Sequence, residues 1–336
     1  MFEFPLLLIL IIIIALIFDF TNGAHDCANA IATVISTKAL TPQTAVLMAA
    51  VLNLLGAFLG TEVASTLGKG IVNTEVVSGN QILVLAALSG AITWNFITWY
   101  YGIPSSSSHA LIGGLIGSSI ISAGFTSLNI LSILQKIILP LFLAPLLGFF
   151  TGFSFMTLLS FLFAKTHRKK LTKKFTHLQI LSAAFMATSH ALNDAQKTMG
   201  VITLALFIFN KIESITVPFW VKVVCAIAMA AGTAVGGWKI IKTMGNSIFK
   251  LEPVHGFAAE TSASAVITIA SILGAPISTT HTITACIFGV GSTKRLSAVR
   301  WFVAITLVKA WMITIPASAI IGIAFFYFFS FIGLSN

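Results

Sequence analysis

Charged residues are scarce in this chain. They make up 8% of its 336 residues, whereas hydrophobic residues make up 57%, and the mean hydropathy is +1.01. Soluble domains carry about 25% charged residues. Because so little charge cannot cover a globular surface with solvated side chains, the composition excludes a soluble domain. It predicts an integral membrane protein with the lipid bilayer as its first partner.

Cysteine is also rare, and two common site types are missing. Cys27, Cys225 and Cys286 lie in apolar segments without Cys-x-x-Cys spacing, which argues against disulfides and a zinc site. The chain has no Gly-x-x-x-x-Gly-Lys-Ser/Thr loop for the phosphates of ATP. We therefore expect no cofactor.

The net charge of +10 comes from basic residues that cluster between apolar runs, above all in Lys165–His177. A nucleic-acid partner is not expected, because a binding face would spread these cations differently. Short basic loops instead mark the cytoplasmic side of a membrane. This predicts a basic cytoplasmic linker at 164–178, between a first repeat with its connecting helix (1–163) and a second repeat with its terminal helix (179–336).

Long apolar runs predict a multi-pass, all-α protein. The first, Phe4–Phe18, lacks the basic start and cleavage site of a signal peptide, so we expect a retained membrane helix. Others lie at 42–60, 82–101, 130–163, 217–235, 257–273 and 301–331.

Two hydroxyl-rich segments indicate an internal duplication. Pro104–His109 and Pro276–His281, here called the first and second hydroxyl segments, are offset by 172 residues. Asp26 and Asp194 lie in matching polar stretches at an offset of 168. Such self-similarity is typical of a duplicated fold. Further pairs at the offset of 172 are Gly102 and Gly274, Gly117 and Gly289, and Gly60-Thr61 and Gly232-Thr233.

Loop charges predict that the two repeats are inverted. Residues 122–127 carry no charge, whereas their counterpart 292–300 carries three basic residues. Residues 68–78 have no net charge, whereas 239–252 hold three lysines and one glutamate. The positive-inside rule places equivalent loops on opposite sides of the membrane. Inverted repeats are a feature of many secondary transporters.

Asp26 and Asp194 predict cation sites. An intramembrane charge costs about 2.5–3.5 kcal/mol, so such acids line a cavity, pair or bind a cation. Carboxylate and amide oxygens, together with carbonyls of unwound backbone, would suit Na⁺, and a protonatable Asp would suit H⁺. The alternative is that each Asp caps a helix at the membrane surface. The polar neighbours are Asn22, His25 and Asn29, and then His190, Asn193 and Gln196.

The hydroxyl segments predict an anion site. A proline followed by Ser or Thr is typical of a helix N-terminus, where hydroxyls and backbone N–H groups converge. Two such ends without a fixed cation suit a dehydrated oxyanion. The alternative is that the hydroxyls satisfy carbonyls within membrane helices. His109, His281 and Glu260 are each open to a functional or a structural interpretation.

The motifs Asn22–Ala30 and His190–Gly200, with both hydroxyl segments, resemble the inorganic phosphate transporter (PiT) family over essentially the whole chain. The resemblance implies symport of phosphate with Na⁺ or H⁺ by alternating access. It also implies two inverted-topology repeats with broken helices and re-entrant helical hairpins. We expect a homodimer that lies in the cell membrane. We do not expect an enzyme.

The resemblance also implies site residues. Phosphate would be held by Ser106, Ser107, Ser108, Ser278, Thr279 and Thr280. Coupling ions would be held by Asp26, Asn29, Asn193 and Asp194, with Asp26 and Asp194 as the Na⁺ ligands if sodium is used. Auxiliary candidates are His25, His109, Gln196, Glu260 and His281, of which Glu260 matches a family position tied to transport. Ser105 is predicted not to contact substrate, because its counterpart is Ile277.

One position departs from the family's pattern, and another departs from the internal repeat. His25 stands where the family usually has Asn, which leaves the cation at the first site open because an imidazole titrates near neutral pH. Lys197 aligns with Asn29, which predicts a second site partly neutralised by a lysine. Other functions considered are a sulfate permease of the same fold, an anion channel, and an intramembrane hydrolase using Ser108, His109 and Asp26. The hydrolase is disfavoured because a single catalytic group needs no twin.

Overall fold

The computed structural model describes residues 5–70 and 82–334. Within these ranges the chain is helical and contains no strand, which confirms the predicted all-α fold. The helices are α1 (Leu6–Ser36), α2 (Pro42–Gly56), α3 (Glu62–Gly70), α4 (Ile82–Tyr101), α5 (Ser107–Ala123), α6 (Ile130–Leu162, with a π-helical turn), α7 (Arg168–Ile208), α8 (Phe219–Val235), α9 (Trp238–Asn246), α10 (Pro253–Ile272), α11 (Thr279–Lys294) and α12 (Trp301–Phe331).

In the part of the chain that the structure describes, four helices, α1, α4, α6 and α12, are long and apolar enough to cross a bilayer. The pair α8 and α9, bent by 71°, would be a fifth span. Large apolar side chains point outward, including Phe161 (80% exposed) and Phe302 (82% exposed), whereas many polar side chains are buried. This distribution suits a hydrocarbon surrounding and agrees with the predicted multi-pass membrane protein.

The helices are not broken where the acids lie. Helix α1 runs unbroken through Asp26, and α7 runs unbroken through Asp194. The expectation of unwound backbone at these two acids is therefore wrong, and neither acid caps a helix. The physical reason is that neither stretch contains proline, so each backbone N–H can keep its place in the helical hydrogen-bond ladder.

The breaks lie instead at the hydroxyl segments. Gly102 (φ +67°) and Gly274 (φ +70°) end the preceding helices in the left-handed conformation that glycine adopts without strain. After the break, the Ser106 and Ser278 side chains each accept a hydrogen bond at 3.2 Å from the backbone N–H three residues on. Both segments are therefore capped helix N-termini, as predicted.

The basic segment predicted as a linker is largely helical. From Arg168 onward it forms the first turns of α7, because it lacks helix-breaking glycine and proline. Arg168 pairs with Glu252 at 2.5 Å. Likewise, much of the basic loop predicted at 239–252 is helix α9. Most of the loop predicted at 68–78, which has no net charge, lies outside the described residues.

The main helix contacts between the two halves of the chain each have an equivalent contact in which the halves swap roles. Helix α5 packs on α12 as α11 packs on α6, and α1 packs on α8 as α7 packs on α2. A Cβ at Gly117 would lie 2.3 Å from the Ala319 carbonyl oxygen, and one at Gly289 would lie 2.1 Å from that of Phe149. The long helix closing each half therefore holds the hydroxyl helix of the other half, and this exchange brings both N-termini to the centre.

Candidate functional site

The two acids predicted from the repeat lie together. Asp26 is 2% exposed and Asp194 is 0% exposed. With His190, they offer ligand atoms that lie within 4.8 Å of one another. The fold therefore joins residues 168 positions apart into one buried site.

Hydroxyls of the two helix N-termini donate to these acids. Ser107 donates to Asp26 Oδ2 at 3.3 Å, and Thr280 donates to Asp26 Oδ1 at 3.2 Å. Thr279 donates to Asp194 Oδ2 at 3.0 Å. The first acid is thus bonded by both halves of the chain, and both hydroxyl segments meet at the carboxylates.

One amide accompanies each acid. The Asn29 side-chain nitrogen donates to the Thr279 and Thr280 hydroxyls at 3.1 and 3.0 Å. The Asn193 nitrogen donates to Ser271 Oγ at 2.8 Å and to the Ala275 carbonyl at 3.2 Å. Both amide oxygens are buried and accept no hydrogen bond from the described residues. Carboxylate and amide oxygens are ligands that suit a small, hard cation.

Lys197 places a fixed positive charge at the junction. Its Nζ lies 2.5 Å from Asp194 Oδ1 and 2.9 Å from the Ile277 carbonyl oxygen, and it also donates to Ser108 Oγ. The expected partial neutralisation of the second acid is what this geometry shows. The expectation that the hydroxyl segments lack a fixed cation is wrong, because Lys197 reaches them from α7. Its alignment with Asn29 was the signal in the sequence.

An imidazole lies beside each acid. His25 Nδ1 is 2.7 Å from Asp26 Oδ1, and its Nε2 is 3.2 Å from Thr98 Oγ1. Ser105 Oγ donates to Thr98 Oγ1 at 2.9 Å. In the second half, His190 Nε2 is 3.1 Å from Asp194 Oδ2. Ser105 therefore supports the histidine that contacts Asp26 rather than the acid itself. Sequence reasoning missed Thr98, which no motif marks.

His109 and His281 pack behind the helix N-termini. Their rings contact edge to face at 4.5 Å, and His281 stacks on Trp311 at 3.9 Å. Both histidines line an apolar cavity of about 540 Å³ between α6 and α12. Neither nitrogen of His109 has a hydrogen-bond partner in the described ranges. Because Ser108 bonds to Lys197 and Ile277 and not to His109, the geometry provides no hydrolase relay.

Two auxiliary candidates lie away from the acids. Gln196 Oε1 accepts a hydrogen bond from the Val63 backbone N–H at 2.8 Å and thereby caps α3. Glu260 accepts from Thr33 at 2.5 Å, from Gln179 at 3.2 Å and from Ser182. This second buried network joins α1, α7 and α10, and Thr33 lies one helical turn beyond Asn29.

Comparison with known proteins shows the family to which the chain belongs. Residues 22–322 match the profile described as the phosphate transporter family. A relative from Bacillus subtilis (strain 168), named "Probable low-affinity inorganic phosphate transporter", is 47% identical over 96% of this chain and 97% of its own length. The chain belongs to the phosphate transporter family.

Other members and a solved structure extend the match. A relative of the same name from Rhizobium meliloti (strain 1021) is 47% identical over 95% of each chain. A solved structure described as "The sodium-dependent phosphate transporter" is 25% identical, with a TM-score of 0.88 over 98% of this chain and 100% of that one. The resemblance seen in the motifs is therefore confirmed. Members of the phosphate transporter family are transporters, so the prediction that the chain is not an enzyme is confirmed as well.

Proposed function

We propose that this protein is a symporter that carries inorganic phosphate across the cell membrane with Na⁺ or H⁺ by alternating access. The observation that carries this proposal is the convergence of two hydroxyl-rich helix N-termini on two buried carboxylates. The family and the names of the bacterial relatives support phosphate as the substrate, held with low affinity. The sodium-dependent solved relative supports a coupling cation.

Phosphate is assigned to the donors at the two N-termini. Helix N-termini offer hydroxyls, backbone N–H groups and the positive end of the helix dipole to an anion. The assigned residues are Ser106, Ser107, Ser108, Ser278, Thr279 and Thr280. The coupling ions are assigned to Asp26, Asn29, Asn193 and Asp194, because the two carboxylates are buried and the two amide oxygens accept no hydrogen bond from the described residues.

Hydrogen-bond counting explains why anion and cation travel together. A hydroxyl has one proton to donate, so Ser107 or Thr280 cannot serve Asp26 and phosphate at the same time. Phosphate beside an ionised Asp26 is also repelled, by about 4 kcal/mol per pair of unit charges 4 Å apart at an effective dielectric constant of about 20. A cation on Asp26 takes the place of the hydroxyl donors and offsets this repulsion. Cation binding thereby releases the donors that phosphate needs.

The two ion sites are not equivalent in this mechanism. Asp194 already has a counter-charge, because Lys197 Nζ is 2.5 Å from its carboxylate. Among the described residues, the basic partner of Asp26 is His25 at 2.7 Å, whose charge depends on its protonation. We therefore assign the larger cation dependence to the Asp26 side.

The proposed architecture is two inverted repeats, 1–163 and 179–336, joined by the cytoplasmic segment 164–178 and assembled as a homodimer. The pairs α4–α5 and α10–α11 are the proposed re-entrant hairpins. The exchanged helix contacts support the duplication, as does a further pair of left-handed residues, Lys38 (φ +60°) and Asn210 (φ +53°), at the same offset of 172. The basic loop charges support the inversion.

The test is uptake of labelled phosphate into proteoliposomes under a Na⁺ gradient alone and then under a pH gradient alone. Accumulation above the external concentration is expected with one gradient or both, and it would exclude a channel. Asp26→Ala and Asp194→Ala should abolish it, whereas Glu213→Ala, which changes an exposed carboxylate, should not. Normal gradient-driven uptake in both acid variants would refute the mechanism. Unlabelled sulfate competing as well as phosphate would refute the substrate assignment.

A further inference from the structure

One buried acid takes no part in the site described above. Asp19 lies near the middle of α1 with an exposed fraction of 0%. Neither of its carboxylate oxygens has a hydrogen-bond partner among residues 5–70 and 82–334, and no ion pair to it forms there. Asp26 lies two turns further along the same helix, about 10 Å away by the helical rise.

Two polar side chains near Asp19 also lack hydrogen-bond partners among the described residues. Thr198 of α7 and Cys225 of α8 lie close enough to its carboxylate to interact with it, although neither meets the geometry of a hydrogen bond. Asn22 lies one turn along α1, on the same face as Asp19, and is 1% exposed. Both polar atoms of Asn22 and the Thr198 hydroxyl lack a hydrogen bond in the part of the chain described. Unsatisfied buried groups are rare in folded proteins, so a cluster of them calls for a bound water, ion or proton.

The chemistry of the cluster selects the ligand. A lone ionised carboxylate buried in an apolar surrounding is costly and binds a cation if one is available. Because α1 and α7 are unbroken here, their carbonyls are used within the helices, and a metal ion at Asp19 would find, among the described residues, the side-chain oxygens of Asn22 and Thr198 alone. Around Asp26, by contrast, the Ser107 and Thr280 hydroxyls add further oxygens. A proton needs one oxygen, and the resulting acid could donate to Thr198 or Asn22. We infer that Asp19 is a proton-binding site of the transport cycle, with Asn22 and Thr198 as its hydrogen-bond partners.

Asp19 is linked to the phosphate site by charge. The titratable groups that face it are Cys225 from α8 and Asp194 from α7, and Asp194 is in turn paired with Lys197. Negative charge at the site, from phosphate or from an Asp194 without a bound cation, favours a proton on Asp19. By linkage, a proton on Asp19 in turn favours negative charge at the site. At the offset of 168 its counterpart is Ala187, so this proton site exists in one half only. The inference rests on the proposed symport and names the proton as a coupled ion.

The experiment uses Asp19→Asn, which keeps the size and removes the acid, with Glu213→Gln as the matched change at an exposed carboxylate. Infrared difference spectra of the purified protein at two pH values should show a carboxylic-acid carbonyl band in the wild type and in Glu213→Gln. The band should be missing in Asp19→Asn. Thr198→Val, which removes the facing hydroxyl, should shift the band to higher frequency.

In proteoliposomes, Asp19→Asn should lower phosphate accumulation driven by a pH gradient by about tenfold or more, the range expected for coupled sites. Phosphate counterflow without a gradient should persist, because the phosphate donors are unchanged. An unaltered carbonyl band in Asp19→Asn would overturn the inference, as would unaltered pH-driven accumulation. Selective loss of Na⁺-driven uptake would also overturn it, in favour of a metal site.

Two readouts keep the inference separate from the proposed function. If Asp19→Asn does not fold, the band in the wild type and its shift in Thr198→Val decide the matter, and a wild-type band unaffected by Thr198→Val would overturn the inference. Absence of phosphate uptake by the wild type would refute the proposed function, whatever the spectra show at Asp19.

Discussion

Replacing Lys197 with Asn tests the asymmetry between the two acids. Asn is the residue at the equivalent position 29, so Lys197→Asn makes the two halves alike at this position. The change removes an ammonium that lies 2.5 Å from Asp194 Oδ1 and 2.9 Å from the Ile277 carbonyl oxygen. Removing one partner of a buried ion pair costs about 3–5 kcal/mol, because the other charge is left uncompensated.

A coupling cation can restore the missing charge at Asp194, so the cost should appear as a new cation requirement. At low cation concentration the phosphate affinity should fall by about a hundredfold or more, since each 1.4 kcal/mol is about tenfold. At high concentration most of the affinity should return. The slope of log Kd for phosphate against log cation concentration should increase in magnitude by one, because one more cation binds together with phosphate.

The assay is phosphate binding by purified protein in detergent over a series of Na⁺ concentrations, with choline as the replacement ion, and then over a series of pH values. Lys173→Asn, at an exposed position on the same helix, is the matched control and should match the wild type. An unchanged affinity and an unchanged slope in Lys197→Asn would refute the role given to this lysine.

Three further predictions concern residues around the site. Gly117→Ala and Gly289→Ala should each lower the thermal unfolding temperature measured in detergent. The new Cβ would lie 2.3 or 2.1 Å from a carbonyl oxygen, and overpacking costs about 1–3 kcal/mol. An unchanged unfolding temperature in both variants would contradict the helix packing described. Gln196→Ala should cost about 1 kcal/mol of stability through the lost cap of α3 while leaving the cation dependence of uptake unchanged, and an altered cation dependence would place Gln196 in the ion site. His109→Phe should keep both the ring packing on His281 and phosphate uptake, whereas loss of uptake in a folded His109→Phe would show a role for the imidazole.

Spacing in the sequence predicted the features that depend on the repeat. The hydroxyl segments were expected at helix N-termini, and the structure places Ser106 and Ser278 as their caps. The sequence repeat pairs Gly117 with Gly289, and both contact a long helix of the other half. These features are local or periodic, so a single sequence carries them.

The course of the backbone at the acids was not predictable in the same way. Polar, small residues around Asp26 are compatible with an unwound segment, but α1 continues, and its side chains find partners elsewhere. Asn29 bonds to Thr279 and Thr280, 250 and 251 residues away. No local pattern encodes such partners, and for the same reason the contact between Thr98 and His25 could not be read from the chain.

Lys197 shows the limit of the repeat argument. Alignment with Asn29 correctly predicted that a lysine would neutralise part of the second site. It did not predict that the same ammonium would also reach Ser108 and the Ile277 carbonyl, because these belong to segments that meet only in the folded protein.

The most direct test of the central claim is phosphate binding by the purified protein as a function of cation concentration, compared between the wild type and Asp26→Ala. The claim is that a cation on Asp26 releases the Ser107 and Thr280 hydroxyls for phosphate. The wild type should therefore bind phosphate more tightly as Na⁺ or H⁺ rises. Asp26→Ala should lose coupled uptake yet bind phosphate with much less dependence on the cation. Equal phosphate affinity in the wild type at all cation concentrations would contradict the claim.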